Sequence, residues 1–318
     1  MSTAPIDTTS RVTLGSSDLQ VYPLNLGGNV FGWTADEQQS FEVLDAYTAA
    51  GGNFVDTADV YSVWADGNAG GESEAVIGRW LAARGVTDLV VATKVGMHPE
   101  FKGLTAENVD RAVDASLGRL GVGSVDLYYA HADDADVAID DIARTFSGLV
   151  DSGRIRAIGA SNFSDERLQG WLDAADREGL HAPVAYQPKY NLVSREIEPT
   201  TLPLTRAAGI AVLPYSSLAS GFLSGKYRDG ATVDSARAEG AGKLLDDRGR
   251  ATLDALDEIA ASHDVEVASV ALAWLRQQDG VTAPIASART AQQLPALIAS
   301  VTLELSDSEL TQLSAASA

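Results

Sequence analysis

Three apolar segments of the sequence each end in a polar residue that could take part in proton transfer. The segment NFVD ends in Asp56, DLVVATK ends in Lys94 and DLYYAH ends in His131. Tyr61 follows Asp56 within the loop DTADVY. If the three segments are parallel neighbouring strands, their carboxyl ends bring an acid, an amine, an imidazole and a phenol to one place. Such a set is suited to general acid–base catalysis.

These four residues admit one mechanism together, although each also has an ordinary structural explanation. Taken singly, they could be a capping or salt-bridged acid, a surface lysine, a hydrogen-bonded strand end and a half-buried aromatic. Taken together, Asp56 would orient Lys94, whose charge would lower the pKa of the Tyr61 phenol. His131 would direct a ring N–H at the carbonyl oxygen of a substrate. The sequence therefore predicts that Tyr61 is a general acid.

The composition is that of a globular protein with an acidic surface. Of its 318 residues, 45% are hydrophobic and 21% are charged, so a sizeable core can form. The 23 basic and 44 acidic residues give a net charge of −21. Because this charge repels phosphate backbones and anionic lipids, we expect neither nucleic acid nor a membrane as a partner. We interpret the charge as a solvated surface that aids solubility, rather than as a site for an acidic partner.

The sequence contains no cysteine, which excludes disulfides, thiolate zinc sites and thiol nucleophiles. The N-terminus has no basic start followed by an apolar stretch, and no window approaches the roughly 20 apolar residues of a membrane span. We therefore expect a cytoplasmic protein, present as a monomer or a weak homo-oligomer.

Strand and helix segments alternate along the whole chain. Residues 11–22 are typical of a short β-hairpin, and a strand, a loop and a helix follow, with Asp36 in the first helical turn and Gly51 as a stop. The later strand segments read NFVD, DLVVATK, DLYYAH, RIRAIGAS, PVAYQPKYN, IAVLPYSS and VTAPIAS. By length the chain could form two domains, but eight strands at roughly forty-residue spacing fit a barrel better than an open doubly wound sheet. We predict one α/β domain over residues 1–318, a (β/α)8 TIM barrel with an N-terminal β-hairpin and C-terminal helices.

Residues 228–249 break this alternation. The segment is poor in aliphatic side chains and rich in Gly, Ala, Asp and Arg. A long structureless run inside a compact domain is usually functional or disordered. We interpret it as a mobile loop, either a flap over a cofactor or plain disorder.

The chain resembles the aldo-keto reductases in four motifs that span its first half. They are D-T-A-D-V-Y (56–61), G-E-S-E-x-x-I-G (71–78), A-T-K (92–94) and D-L-Y-Y-x-H (126–131). The resemblance implies that Tyr61 is the proton donor, that Lys94 and Asp56 tune it, and that His131 orients the substrate. It also implies that a nicotinamide cofactor supplies hydride.

The second half resembles the cofactor site of the same family. Ser161, Asn162 and Gln187 match residues that hold the nicotinamide carboxamide, and Tyr215 matches the aromatic that stacks on the nicotinamide ring. Residues 215–227, reading YSSLASGFLSGKY, resemble the segment that clasps the pyrophosphate, although they could form an ordinary glycine-containing loop. The cofactor residues predicted in this way are Gly28, Asn29, Ser161, Asn162, Gln187, Tyr215, Ser216, Leu218, Gly221, Lys226, Ser287, Arg289 and Gln293.

The last loop, residues 284–293, resembles the family segment that binds the adenosine end. An arginine, Arg289, precedes a helix predicted to start near Thr290, and this combination suits a phosphate. It favours NADPH over NADH, unless Arg289 is a surface residue without a phosphate partner. The chain departs from the family pattern at Ala296 and Leu297, where an acid and an amide often contact adenine.

Aromatic residues in loops could line the substrate pocket beside His131. Phe31, Trp33 and Trp64 are these candidates, and packing beneath the loops is the alternative for each. The substrate itself is predicted only as a small carbonyl compound, since loops of a barrel change chemistry without changing the fold.

Two functions are compatible with this pattern. The first is an NADPH-dependent oxidoreductase of the alcohol dehydrogenase and carbonyl reductase class, which reduces an aldehyde or ketone reversibly. The second is a nicotinamide-binding regulatory or sensor barrel that resembles potassium-channel β-subunits. The complete set of four residues favours the enzyme. We predict no metal site, because the four histidines form no paired motif.

Overall fold

The computed structural model describes residues 11–229 and 238–318, in which strands and helices alternate along the chain. The strands are β1 (Val12–Thr13), β2 (Gln20–Val21), β3 (Asn25–Gly27), β4 (Phe54–Asp56), β5 (Val90–Val95), β6 (Met97–His98), β7 (Phe101–Lys102), β8 (Val125–Ala130), β9 (Ile155–Ser161), β10 (Pro183–Gln187), β11 (Ala211–Val212) and β12 (Ile285–Ala286). The helices are α1 (Glu37–Ala49), α2 (Glu72–Arg84), α3 (Ala106–Leu120), α4 (Ile139–Asp151), α5 (Asp165–Glu178), α6 (Thr201–Ala207), α7 (Ala238–Gly242), α8 (Asp247–His263), α9 (Val267–Arg276), α10 (Leu294–Ala299) and α11 (Asp307–Ala316). Short 3₁₀ segments lie at Ala219–Ser224 and Ala291–Gln293.

Eight of these strands form one parallel sheet in the order β11, β10, β9, β8, β5, β4, β3, β12. Two bonds connect its edges, since Thr282 N donates to Val212 O at 2.9 Å and Ile285 N donates to Pro214 O at 2.9 Å. The sheet curls into a barrel with helices around it, which is the (β/α)8 fold that the alternation of segments predicts.

The antiparallel hairpin of β1 and β2 lies at the amino ends of the barrel strands. Its residues Leu14, Leu19 and Val21 are buried in one cluster with Phe54 and Val90, which begin β4 and β5. The hairpin therefore covers this end of the barrel. The opposite end, where the strands finish, is left for a site.

Local sequence explains where the helices begin and end. Asp36 is the N-cap of α1 rather than a residue of its first turn, and its carboxylate accepts a bond from Gln39 N in a capping box. Helix α3 begins after Thr105, whose hydroxyl accepts from Asn108 N, and ends at Gly121 with a φ of 68°. Glycine adopts this left-handed conformation without the steric penalty of a Cβ, so it stops the helix there.

Two features differ from the sequence prediction. The segment after β5 forms a small hairpin, β6 and β7, which was not predicted because each strand has only two residues. Within 228–249, residues 230–237 lie outside the described part of the chain, so the loop prediction is not tested there. Residues 238–242 form helix α7, and α8 begins at Asp247 after the N-cap Asp246. The Asp246 cap favours a helix start at Asp247, and the expectation of a structureless run is wrong for residues 238–242 and 247–249.

Among the described residues, no helix is long and apolar enough to cross a membrane.

Candidate active site

The barrel brings the four residues predicted for proton transfer together at the carboxyl ends of its strands. Asp56 ends β4, Lys94 lies near the end of β5, and His131 follows β8 directly. These strands are neighbours in the sheet, with Asp56 paired to Ala92 across β4 and β5. Tyr61 lies in the loop after β4. The predicted convergence is therefore present.

Lys94 is the centre of the cluster. Its ammonium donates to Asp56 Oδ2 at 2.6 Å, to Thr57 O at 2.7 Å and to Tyr61 Oη at 2.8 Å. The Tyr61 hydroxyl in turn lies 3.2 Å from Asp56 Oδ2, to which it donates. The exposed fraction of the side chain is 0% for Lys94 and 2% for Asp56, so the pair is shielded from water. All three N–H groups of the ammonium thus have acceptors.

The pKa of Lys94 is lowered from its ordinary value. Burial is the largest effect, and it outweighs the charge of Asp56 and the hydrogen bond to its carboxylate, which raise the pKa. The three acceptors around the ammonium favour the charged form. A charged Lys94 stabilises negative charge on the oxygen of Tyr61.

His131 is held in its neutral form. Burial lowers its pKa well below the usual range, and the positive charge of Lys94 lowers it further. The ring lies edge-on to Tyr61, with centroids 6.0 Å apart and planes at 71°. Its Nδ1 is buried and has no hydrogen-bond partner among the residues that the structure describes. A neutral ring still has one N–H to donate to an oxygen in the site.

A cavity of about 840 Å³ opens beside these residues and extends to the last loop of the barrel. Of the predicted cofactor residues, all but one line it: Asn29, Ser161, Asn162, Gln187, Tyr215, Ser216, Leu218, Gly221, Lys226, Ser287, Arg289 and Gln293. Gly28 does not. A Cβ on Gly28 would lie 2.9 Å from Ser73 Oγ and 3.2 Å from the Phe31 ring, so this glycine permits close packing behind the cavity.

The wall of the cavity nearest the cluster carries amide and hydroxyl groups. Asn162 Nδ2 donates to His131 O at 2.9 Å, and Tyr215 Oη donates to Asn162 Oδ1 at 2.9 Å. Ser161 Oγ donates to Gln187 O at 2.8 Å. Asn162 itself has a φ of 56°, a left-handed conformation that is uncommon outside glycine and is often found at functional sites. This wall offers donors and acceptors to a planar amide.

The segment after β11 has an unusual backbone. Ser216, Ala219 and Ser220 have φ values of 54°, 47° and 58°, in the left-handed region. Backbone turns of this kind direct successive N–H groups into a concave surface that can bind anions. Lys226, at the end of the segment, lines the cavity. That this segment binds a pyrophosphate stays a prediction.

The far end of the cavity carries Arg289. Within residues 11–229 and 238–318, neither Arg289 nor Lys226 has an ion-pair partner. Ser287 Oγ donates to Asn29 Oδ1 at 2.7 Å, and Gln293 Oε1 accepts from the backbone N of Arg289 at 2.8 Å. An anion could therefore bind here without displacing a carboxylate.

The helix expected to start near Thr290 is shorter than predicted. Thr290 has an extended backbone, and a three-residue 3₁₀ turn at Ala291–Gln293 leads into the six-residue helix α10. The α-helix begins only at Leu294, because Pro295 has no N–H to donate to a preceding turn and is tolerated in the first turn of a helix but not further inside it. The short helix leaves the guanidinium of Arg289 as the main positive group at this end.

The aromatic candidates for substrate binding separate into two groups. Trp33 lines the cavity and packs edge-on against Trp64, with centroids 5.6 Å apart, and Trp64 lies 6.0 Å from the Tyr61 ring. Trp64 is 46% exposed at the mouth. Phe31 is 0% exposed and packs in the core rather than in the cavity. Sequence alone cannot distinguish these cases, because both kinds of aromatic stand in loops.

Several residues near the site were not singled out from the sequence. Met97 lines the cavity and is 50% exposed. It was missed because the hairpin of β6 and β7, to which it belongs, was not predicted.

Two buried acids lie behind the cluster. Glu74 is fully buried and its Oε2 accepts from Arg119 Nε at 2.6 Å. Asp59 is also fully buried, and neither oxygen of its carboxyl group has a hydrogen-bond partner among the described residues. Burial raises the pKa of Asp59 to about 8, and the charge of Glu74 adds to the effect. Asp59 lies in the motif D-T-A-D-V-Y and Glu74 in the motif G-E-S-E, so the family resemblance was the signal that could have identified both acids.

In the described residues, no three His, Asp or Glu side chains are grouped as a metal ion would require.

Comparison with known proteins agrees with this geometry. A sequence model of the aldo/keto reductase family matches residues 23–318. The chain is 33% identical to the uncharacterized oxidoreductase YrpG of Bacillus subtilis (strain 168), over 94% of this chain and 93% of that protein. It is 32% identical to a probable voltage-gated potassium channel subunit beta of Arabidopsis thaliana, over 88% of each. It is 30% identical to the norsolorinic acid reductase stcV of Emericella nidulans, over 95% of this chain and 80% of that protein.

The chain therefore belongs to the aldo/keto reductase family and is an oxidoreductase of that family.

Proposed function

We propose that the protein is an NADPH-dependent reductase that converts an aldehyde or ketone to an alcohol, and that the reaction is reversible. One observation carries the proposal: the Tyr61 hydroxyl, bound by the Lys94 ammonium at 2.8 Å, lies on the wall of a cavity long enough to reach two cationic side chains. An acid that faces a cofactor-sized cavity is what carbonyl reduction requires.

The residues that line the cavity fit a nicotinamide dinucleotide. Amide and hydroxyl groups at Ser161, Asn162 and Gln187 would hold the carboxamide, and the ring of Tyr215, which lines the same cavity, would stack on the nicotinamide. Lys226 and Arg289 line the same cavity and lack ion-pair partners among the described residues, so they are available to phosphates. When bound, a reduced nicotinamide supplies the hydride that the protein itself cannot.

Tyr61 would give its proton to the carbonyl oxygen as hydride reaches the carbonyl carbon. In the structure this proton is directed at Asp56 Oδ2 over 3.2 Å, a long bond that a substrate oxygen could replace. The negative charge left on Tyr61 Oη would be stabilised by the Lys94 ammonium, which Asp56 holds in place. In the alcohol-oxidising direction the same oxygen would accept the proton.

His131 would bind the same carbonyl oxygen. Because its pKa is far below the usual range, the imidazole is neutral at physiological pH and acts as a hydrogen-bond donor rather than as a charge. The two rings are in edge-on contact, with centroids 6.0 Å apart, so both could reach the same substrate oxygen. The substrate carbonyl would thus be held in line with the proton donor.

Preference for NADPH would depend on Arg289. A guanidinium forms strong charge-assisted bonds to phosphate, and the 2′-phosphate is what distinguishes NADPH from NADH. Glu266 lines the same cavity, and its negative charge would oppose a phosphate bound beside it, so the preference depends on the guanidinium. For the substrate, Trp33 and Met97 offer an apolar wall, which suits an apolar or sugar-like body next to the carbonyl group.

A carbonyl screen tests the proposal. Aldehydes and ketones are offered with NADPH, and oxidation is followed at the absorbance of the reduced nicotinamide. We expect turnover with at least one carbonyl compound, and we expect Tyr61→Phe to lose roughly 10²–10⁴-fold in kcat while it still binds the cofactor. Turnover by Tyr61→Phe near that of the parent protein would overturn the assignment of Tyr61.

The same screen addresses the regulatory alternative, which the similarity to a potassium channel subunit beta keeps open. A regulatory barrel would bind dinucleotide but would turn over no carbonyl compound. The complete proton-transfer cluster favours the enzyme, because a binding module has no need of a buried Lys94 directed at a phenol oxygen.

A further inference from the structure

The side chain of Gln187 reaches across the mouth of the barrel to the proton-transfer cluster. Gln187 ends β10, whereas Asp56 ends β4, and three strands separate them in the sheet order. Nevertheless, Gln187 Nε2 lies 2.8 Å from Asp56 Oδ1. The residues are 2% and 1% exposed, so the bond is made away from water. Such a bond is hard to exchange for one to solvent.

This bond fixes the orientation of the Gln187 amide. A carboxylate only accepts hydrogen bonds, so the group that faces Asp56 must be the NH₂. The carbonyl oxygen Oε1 is then the atom left for a ligand, and Gln187 lines the cavity in which that ligand would lie. The backbone oxygen of Gln187 accepts from Ser161 Oγ, which holds the end of β10 in register with β9.

The same bond completes the shell of Asp56. Its Oδ2 accepts from Lys94 and Tyr61, and its Oδ1 accepts from Gln187. The Asp56 carboxylate therefore binds Lys94 and Tyr61 through one oxygen and the Gln187 amide through the other.

We propose that Gln187 is a positioning residue that couples binding of the nicotinamide carboxamide to Asp56, and through Asp56 to the proton donor Tyr61. The inference rests on the proposed function, since it needs a carboxamide in the cavity. It adds a direct link between cofactor occupancy and the proton-transfer cluster.

The physical basis is the polarisation of an amide that donates and accepts at once. When a carboxamide N–H binds to Oε1, the amide N–H of Gln187 becomes a stronger donor to Asp56. Asp56 then carries less charge toward Lys94, whose ammonium interacts more strongly with Tyr61 Oη. Because the coupling acts in both directions, a change at Asp56 should also alter recognition of the carboxamide.

Binding of two dinucleotides that differ only in this group tests the coupling. Affinities of NADP⁺ and of its 3-acetylpyridine analogue, which lacks the carboxamide N–H₂, are measured by quenching of tryptophan fluorescence. The ratio of the two affinities reports recognition of the N–H₂ and cancels changes that affect both ligands. For the parent protein we expect NADP⁺ to bind several-fold more tightly.

We expect Gln187→Met to lower this ratio, because the carboxamide N–H₂ loses the acceptor Oε1. Asp56→Asn should lower the ratio as well, and the double variant should fall no further than Gln187→Met. The matched control is Asp59→Asn, a second buried acid of the same loop, which has no bond to Gln187. It should keep the parental ratio. A parental ratio in Asp56→Asn, or a double variant in which the two effects multiply, overturns the coupling.

A conservative variant provides an independent readout. In Gln187→Glu, a protonated carboxyl can still donate to Asp56 Oδ1, whereas an ionised one repels it. The charged or titratable groups that face this position are Lys94 on β5, Tyr61 after β4, and Tyr129 and His131 at the end of β8. Burial raises the pKa of Tyr129 well above its ordinary value, and burial together with the charge of Lys94 lowers the pKa of His131 well below its ordinary value, so both favour the neutral form.

For Gln187→Glu we therefore expect an affinity ratio that is close to the parental one at low pH and changes as pH rises, because only the protonated carboxyl group can donate to Asp56 Oδ1 while it accepts from the carboxamide. A ratio independent of pH in this variant overturns the proposal. Failure of the parent protein to bind either dinucleotide would instead be a failure of the proposed function, so the two outcomes are distinct.

Discussion

The ammonium of Lys94 donates to the phenol oxygen of Tyr61 across 2.8 Å, from a position that is 0% exposed. At this distance and in a shielded environment, a positive charge stabilises a developing phenolate far more than it would in water. In the proposed mechanism, the residue that would transfer the proton and the residue that would set its acidity therefore act as one unit. Single variants alone do not separate their contributions.

A double-variant cycle tests this unit. Tyr61→Phe removes the hydroxyl, and Lys94→Met removes the charge that acts on it, so we expect each to lower kcat strongly. The double variant should lose little more than Tyr61→Phe alone, because Lys94 has no oxygen left to act on. The measurement is kcat for one good aldehyde with NADPH, at fixed pH. Losses that multiply would mean that another group donates the proton.

The Arg289 guanidinium lines the cavity without an ion-pair partner in the described residues, which predicts a specific effect on cofactor choice. A hydrogen bond to a charged group contributes about 1.5–3 kcal/mol. Arg289→Ala should therefore weaken NADPH binding roughly ten- to hundredfold and leave NADH binding nearly unchanged. The control is Arg248→Ala, an exposed arginine of α8. Titration of tryptophan fluorescence with both cofactors decides, and equal weakening of both would remove Arg289 from this role.

The raised pKa of Asp59 predicts how the free energy of unfolding depends on pH. The folded protein holds its pKa at about 8, well above the ordinary value of about 3.9. Between these values the folded chain keeps a proton that the unfolded chain has lost, so Asp59 makes the protein less stable as pH rises, by at most about 1.4 kcal/mol per pH unit. Asp59→Asn should remove this dependence and raise the urea midpoint most at pH 8.

Urea unfolding at pH 5, 6, 7 and 8 measures this difference between Asp59→Asn and the parent protein. Asp66→Asn, in the exposed part of the same loop region, is the control and should follow the parent at every pH. If Asp59→Asn also follows the parent, the carboxyl group is ionised in the folded state.

The sequence predicted the barrel because the alternation of strands and helices is a local property that recurs along the chain. It predicted the meeting of Asp56, Lys94 and His131 because parallel neighbouring strands end on one side of a barrel, whatever the details of packing. These predictions depend on topology. They tolerate errors of a residue or two in each element.

What the sequence did not predict depends on side-chain direction and on distant contacts. The bond from Gln187 to Asp56 crosses the barrel mouth, and no local pattern encodes it. Gly28 matched the resemblance, but the structure places it behind the cavity because Phe31 and Ser73 lie against it. The hairpin of β6 and β7 was missed because two-residue strands leave no periodic signal.

The last prediction separates Trp33 from Phe31, which sequence alone treated as equivalent. Trp33 is half-buried on the cavity wall, whereas Phe31 is 0% exposed in the core. Trp33→Ala should raise KM for a bulky apolar aldehyde by roughly tenfold, since contact of one ring with a ligand is worth about 1–3 kcal/mol. It should change KM little for a short aldehyde that does not reach the wall.

Phe31→Leu is the control. It should leave the ratio of the two KM values unchanged and lower the urea midpoint, because a well-packed ring is replaced by a smaller side chain. The two KM values are measured with saturating NADPH for the parent and both variants. If Phe31→Leu shifts the ratio as far as Trp33→Ala does, the effect on KM is transmitted through packing, and Trp33 has no direct contact with the substrate.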